Sequence, residues 1–330
     1  MLTSFLPRLS LLVAVALYET ASSVPVKRAA GPVRVLDTNF ADPCIFQESD
    51  GSWLAFATSG NGVNIQVAKS PDFATWTLQT GVDALKTPLP SWIASTPNTW
   101  APDVVQVADG SFVMYFAAAS SQDATKHCVG VATSTAAGGP YTVKDSAFAC
   151  PLDEGGAIDP DGYLDGNTRY VVYKIDGNSL NGDGTTHPTP LRLQQVGADG
   201  FTASGSPIDL LDRDDGDGPL IEAPSLAKGG DTYYLFFSSN RYDTKLYDVS
   251  YATATAITGP FTKVAAPNAP LLQSGDSSSA GALGGPGGAD VSTDGTKLAF
   301  HAFENGETIA DGRAMYVSGL SLSGGVASIT

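Results

Sequence analysis

The sequence predicts an all-β protein, a five-bladed β-propeller, and three observations carry that expectation. Helical periodicity is nearly absent, and short runs rich in Val, Tyr, Phe and Thr alternate with Gly, Asp, Asn and Pro clusters. One composite unit recurs: a Pro-containing acidic or small element, a short apolar strand, an Asp-Gly or Gly-Gly turn, then a strand of aromatics. Successive copies start roughly 60 residues apart, a little above the spacing of short propeller repeats, the excess being loop.

The copies align in order. Asp42-Pro43-Cys44-Ile45-Phe46 runs through Asp50-Gly51 into Trp53–Phe56, and Ala101-Pro102-Asp103-Val104-Val105 runs through Asp109-Gly110 into Phe112–Phe116. Asp159-Pro160-Asp161-Gly162-Tyr163 leads through Asp165-Gly166 to Tyr170–Tyr173, and Glu222-Ala223-Pro224-Ser225-Leu226 through Gly229-Gly230 to Tyr233–Phe237. Gly288-Ala289-Asp290-Val291 closes the series through Asp294-Gly295 into Leu298–His301. Third-strand elements follow at Val67–Ser70, Val129–Ser134 and Val249–Thr253, two of them entering Gly-Pro-aromatic turns at Gly139-Pro140-Tyr141 and Gly259-Pro260-Phe261. Repeated hairpins also suit a β-sandwich, but repeated four-stranded units fit a radial propeller, whose edges stay short and protected.

Ahead of the repeat stands an address. Arg8, the apolar run Leu11–Leu17 and the small residues Ala21-Ser22-Ser23 read as a secretory signal over residues 1–23. Lys27-Arg28 would end a short propeptide over 24–28, leaving 29–330 as one catalytic propeller in a secreted, extracellular monomer. The apolar run is too short to span a bilayer. A net charge of −16, from 18 basic and 34 acidic residues, with no basic cluster, argues against nucleic acid or an anionic membrane as partner. The cysteines lack metal-ligand spacing; in an oxidising compartment Cys128 and Cys150 can pair, leaving Cys44 as a buried small hydrophobe.

Asp42, Asp159 and Glu222 open three of the copies, and the repeat aims all three at the axis. Asp-Pro is also a common turn starter, so each acid alone suits a structural cap. Like charges gathered in one pocket cost energy and are kept mainly where function uses them. Glycosidic hydrolysis needs such a set: one carboxylic acid donates to the leaving oxygen and a second, ionised, activates water roughly 6.5–9.5 Å away when configuration inverts. Glu222, longer and flanked by Pro219-Leu220-Ile221 and Ala223-Pro224, is the better protonated acid. Asp42 is then the base, and Asp159 the neighbour that tunes and orients the acid.

Ala41-Asp42-Pro43, Trp100-Ala101-Pro102-Asp103-Val104, Ala157-Ile158-Asp159-Pro160 and Ile221-Glu222-Ala223-Pro224 resemble the motifs of the family 43 glycoside hydrolases, in order and across nearly the whole mature chain. The resemblance implies a five-bladed propeller, inversion, and the same three roles. It implies a plant cell-wall polysaccharide or oligosaccharide as substrate, and since the family's activities include α-L-arabinofuranosidase, arabinanase, β-xylosidase and galactanase, it does not fix the sugar. Where many members carry Gly-His in the last blade, this chain reads Gly285-Pro286-Gly287-Gly288-Ala289, which speaks against a family-style axial metal.

Among secondary candidates, Trp100 offers a face for sugar stacking or for the core, and Arg313 a guanidinium for sugar hydroxyls or a surface charge. His301 suits a packed core residue, or one that reaches the axis to bind substrate, an ion or a water. No cofactor is required. Asp103 reads as structural, and Asp212–Asp217, a calcium-loop mimic without the terminal Glu, as a solvated loop beside the Glu222 cleft. The expected activity is an exo-acting α-L-arabinofuranosidase on arabinan. The alternatives are a β-xylosidase on xylo-oligosaccharides, a retaining fructan-cleaving propeller (whose Asn-Asp-Pro motif is replaced by Ala41-Asp42-Pro43) and a non-catalytic sugar-binding propeller.

Overall fold

The computed structural model describes Met1 and residues 31–330; the expected signal (1–23) and propeptide (24–28) lie outside the described residues apart from Met1. Five antiparallel blades stand in a ring, as the repeat predicts. Blades 1 to 4 are continuous in sequence, with innermost strands Cys44–Gln47, Trp100–Gln106, Ala157–Asp165 and Ile221–Gly229, each followed outward by three more. Blade 5 is composite. Gly287–Val291, Lys297–Phe303 and Arg313–Ser323 come from the end of the chain, and Val33–Arg34 adds the fourth strand through Val33↔Val317 and Arg34↔Tyr316. No described helix is long and apolar enough to cross a membrane.

Strand side chains alternate between faces, so each blade offers apolar residues to both neighbours. Five apolar clusters result, one per blade interface. Leu54, Phe56 and Val67 of blade 1 meet Met114 and Phe116 of blade 2, and Tyr234, Phe236 and Tyr251 of blade 4 meet Leu298, Phe300 and Tyr316 of blade 5. Ala299, Met315 and Val317 pack on Ile45 and Trp53, closing the ring from blade 5 to blade 1. A disulfide joins Cys128 to Cys150 with Cα atoms 4.5 Å apart, and Cys44 is free and buried.

Near the axis, side chains tie each blade to the next. Asp103 accepts the Gly162 N–H (2.8 Å), Asp161 that of Leu226 (3.0 Å), Ser225 that of Val291 (3.2 Å) and Asp290 that of Ile45 (2.6 Å). Donor and acceptor keep one register around the ring, one step apart in the repeat. Asp103 is therefore structural, as its place after Pro102 suggests.

Candidate active site

A left-handed residue begins every blade: Asp42 (φ 52°), Ala101 (41°), Asp159 (53°), Ala223 (52°) and Gly288 (56°). Four of them precede proline. Such backbone is strained for a residue with a Cβ and is held only where its surroundings over-determine it. The conformation breaks the ladder with a bulge, seen between Trp100 and Asp103, Ile158 and Asp161, Glu222 and Ser225, and Gly287 and Asp290. This register corrects the expectation of one repeated acidic position. Asp42 and Asp159 are equivalent, whereas Glu222 precedes the left-handed residue and matches Trp100, Ile158 and Gly287. Aligning the copies on their carboxylates hides the offset; aligning them on the proline reveals it.

Asp42 is gripped from three sides. Thr58 Oγ1 donates to its Oδ2 (2.6 Å), and Arg313 Nη1 donates to Oδ1 (3.0 Å). His301 Nδ1 lies 3.1 Å from its backbone N and 3.2 Å from Oδ1. Burial pushes the Asp42 carboxyl up, but the Arg313 cation and the His301 and Thr58 contacts prevail and hold it well below the usual carboxylate range. Burial, then the Arg313 charge, bring His301 down to about 4 against the pull of Asp42, so the ring is neutral at pH 5–7.

Glu222 sits among polar partners, which corrects the apolar setting its sequence neighbours suggest. Lys174 Nζ donates to Oε2 and the Tyr247 hydroxyl to Oε1, each at 2.9 Å. Those partners lie 48 and 25 residues away, so the adjacent Leu220, Ile221 and Pro224 say nothing about them. Lys174 is fully buried and also donates to Asp176 (2.9 Å). Asp159 Oδ2 accepts the Ala223 N–H (2.9 Å), bridging blade 3 to the strand that carries Glu222. Burial first, and then the Glu222 charge, push the Asp159 carboxyl well up, with Lys174 opposing.

Asp42, Asp159 and Glu222 line one cavity of about 440 Å³, together with Trp100, Tyr247 and Arg313. Such a volume suits a small ligand. Trp100 is half-buried and stacks on His127, ring centroids 3.6 Å apart and 19° between planes, leaving its other side toward the cavity. The Arg313 guanidinium is engaged with Asp42 and lies 4.9 Å from the centre of the Tyr242 ring. His301 is fully buried behind Asp42, the packed placement of the two its sequence allows, and its other nitrogen lies 3.3 Å from Arg313 Nη1. The Asp212–Asp217 segment is tied down rather than freely solvated: Asp214 caps the short turn Asp215–Asp217, Asp217 is buried, and Lys263 pairs with both.

Beneath the cavity, Asp103, Asp161 and Asp290 bring one oxygen each within 4.8 Å of one another. Each carboxylate already accepts a backbone N–H from the next blade, so the trio has a structural task and no metal is assigned to it. Burial raises Asp103 to about 6. Burial, and then the Asp103 charge, raise Asp161 and Asp290 well above the carboxylate range. Sequence reasoning missed Lys174, Asp176, Tyr247, Thr58 and Tyr242. Only Lys174 left a signal, a cation at the end of the apolar run Tyr170–Tyr173.

A family model described as "Glycosyl hydrolases family 43" matches residues 33–319. A "Probable arabinan endo-1,5-alpha-L-arabinosidase A" of Aspergillus flavus is 28% identical over 308 residues, covering 84% of this chain and 86% of that protein. Among solved structures, "a thermostable family-43 glycoside hydrolase" superposes with a TM-score of 0.74 at 22% identity, covering 88% of this chain and 93% of the other. An "Endo-1,4-beta-xylanase" of Bacteroides thetaiotaomicron superposes with a TM-score of 0.70 at 26% identity, covering 90% and 96%.

Proposed function

The chain belongs to the family 43 glycosyl hydrolases, which cleave glycosidic bonds with inversion, and on that premise we propose an exo-acting α-L-arabinofuranosidase that works on plant arabinan or arabino-oligosaccharides. The convergence of Asp42, Asp159 and Glu222 on one cavity carries the reading. Asp42, kept ionised by Arg313, takes a proton from the water that attacks the anomeric carbon. Glu222 gives its proton to the departing oxygen, and Asp159 holds that acid in place from the neighbouring blade. Trp100 is the stacking face beside them. Carboxylates and water suffice, and no cofactor is required.

Arabinan as substrate is supported by the name of the Aspergillus relative. For exo action, the loop after Asp176 contributes Asn178 and Asn181 to the cavity lining beside Arg241 and Tyr242, whereas the same Aspergillus relative is named for endo action. The signal-like segment of residues 1–23 and the Cys128–Cys150 disulfide support secretion. A second reading, hydrolysis of xylo-oligosaccharides, is favoured by the likeness to the Bacteroides xylanase.

Assays on p-nitrophenyl arabinofuranoside, p-nitrophenyl xyloside and linear arabinan separate these readings. Arabinose as the first product from arabinan is expected. Oligosaccharides without arabinose would replace exo by endo action, and turnover of the xyloside alone would replace the sugar. Proton NMR of the first-formed anomer is expected to show inversion.

A further inference from the structure

We propose that Lys174 is a positioning residue for the acid: held between Asp176 and Glu222, its ammonium fixes the Glu222 carboxyl and sets the pH above which the acid side of the reaction fails. The inference rests on the acid and base roles proposed above. It starts from the register of the second strands. The residue opposite the bulge there is Thr58, Ala117, Lys174, Ser238 and His301 in blades 1 to 5. Three of these tie their blade to the next. Thr58 Oγ1 accepts the Ala101 N–H (3.0 Å), Ser238 Oγ the Gly288 N–H (3.0 Å) and His301 Nδ1 the Asp42 N–H (3.1 Å). An ammonium has no lone pair and cannot accept. At the junction of blades 3 and 4 the Asp159 carboxylate takes over that task for Ala223, and Lys174 turns its charge on Glu222 instead. A position used elsewhere for stitching thus carries a cation beside the proposed acid.

The charges are unbalanced. Lys174 faces Asp176 from its own blade, Asp159 from the strand beside it, and Glu222 from blade 4. The Tyr247 hydroxyl closes the other side of Glu222, His127 of blade 2 faces Asp176, and Asp42 with Arg313 and His301 stands beyond Tyr247. One ammonium among three carboxylates leaves an excess of negative charge, and one proton on the Asp159–Glu222 pair relieves it. An opposite charge this close moves a carboxyl titration by about 1–3 units, and for interacting sites the midpoint belongs to the pair.

The test is the pH dependence of kcat/KM. K174Q is expected to move the alkaline limb up by about one unit or more, because the pair then holds its proton more tightly. D176N is expected to move it down, since the ammonium then acts on Glu222 unshared, and K174R to leave it in place while restoring much of the lost kcat. A limb unmoved in both K174Q and D176N, with only kcat reduced, overturns the proposal and leaves Lys174 a structural residue. Should K174Q not fold, the downward shift in D176N and the retained limb in K174R decide alone. The carboxylic-acid infrared band that D159N or E222Q abolishes gives the same midpoint without substrate. Failure of the arabinoside assays therefore discards the substrate while the band still judges Lys174.

Discussion

Asp42 performs its proposed task only while ionised, and three neighbours see to that. D42N keeps the shape but removes the proton acceptor, and a loss of about 10²–10⁴ in kcat is expected. R313Q removes the largest of the contacts that together overcome burial, so the Asp42 carboxyl rises. A base must be ionised to act, and its activity is therefore lost at a higher pH. The acid limb of kcat/KM is expected to move up by on the order of one unit, the alkaline limb staying put. Which carboxylates to suspect was readable from Asp42-Pro43, Asp159-Pro160 and Glu222-Ala223-Pro224 alone. Their partners were not, because Arg313 and His301 reach Asp42 from the far end of the chain. Contacts made across the ring leave no trace in local sequence.

Strands and their bulges place these groups. The left-handed residue turns the preceding side chain into the cavity, which is why Trp100, Ile158 and Glu222 line it from one register. Blade 5 has glycine at both positions for a steric reason. A Cβ on Gly287 would come within 2.0 Å of the Tyr247 ring, and one on Gly288 within 2.6 Å of His301. The Asp-Gly and Gly-Gly hairpins, and hence the blade count, were legible because turn chemistry and strand alternation are local. The bulge was not, since it depends on what the next blade offers. S238A tests the stitch itself: it orphans the buried Gly288 N–H, and a loss of about 1–3 kcal/mol is expected in urea unfolding.

Across the whole molecule, buried carboxylates link stability to acidity. In the fold, Asp103, Asp161 and Asp290 keep protons that the unfolded chain has already released above pH ~4. The folded state then binds more protons, so stability falls as pH rises from ~4 through about 6 and beyond. Asp42 acts oppositely only at still lower pH, and neutral His301 opposes the fall between about 4 and ~6.5, where the unfolded ring still binds a proton, one group against three. The melting temperature is expected to be higher at pH 5 than at pH 7.5. D161N, whose amide oxygen can still accept the Leu226 N–H, is expected to flatten that slope. An unchanged slope would exclude Asp161 as its source. The composite fifth blade sets the order of assembly. Val33–Arg34 finds its partners only near Tyr316 and Val317, almost the whole chain later. Synthesis from the N-terminus therefore delivers the clasp first and its catch last, and blades 1 to 4 can form before the circle is locked. Cutting and rejoining the chain so that those two segments become neighbours would turn a strand pairing that spans almost the whole chain into a local one.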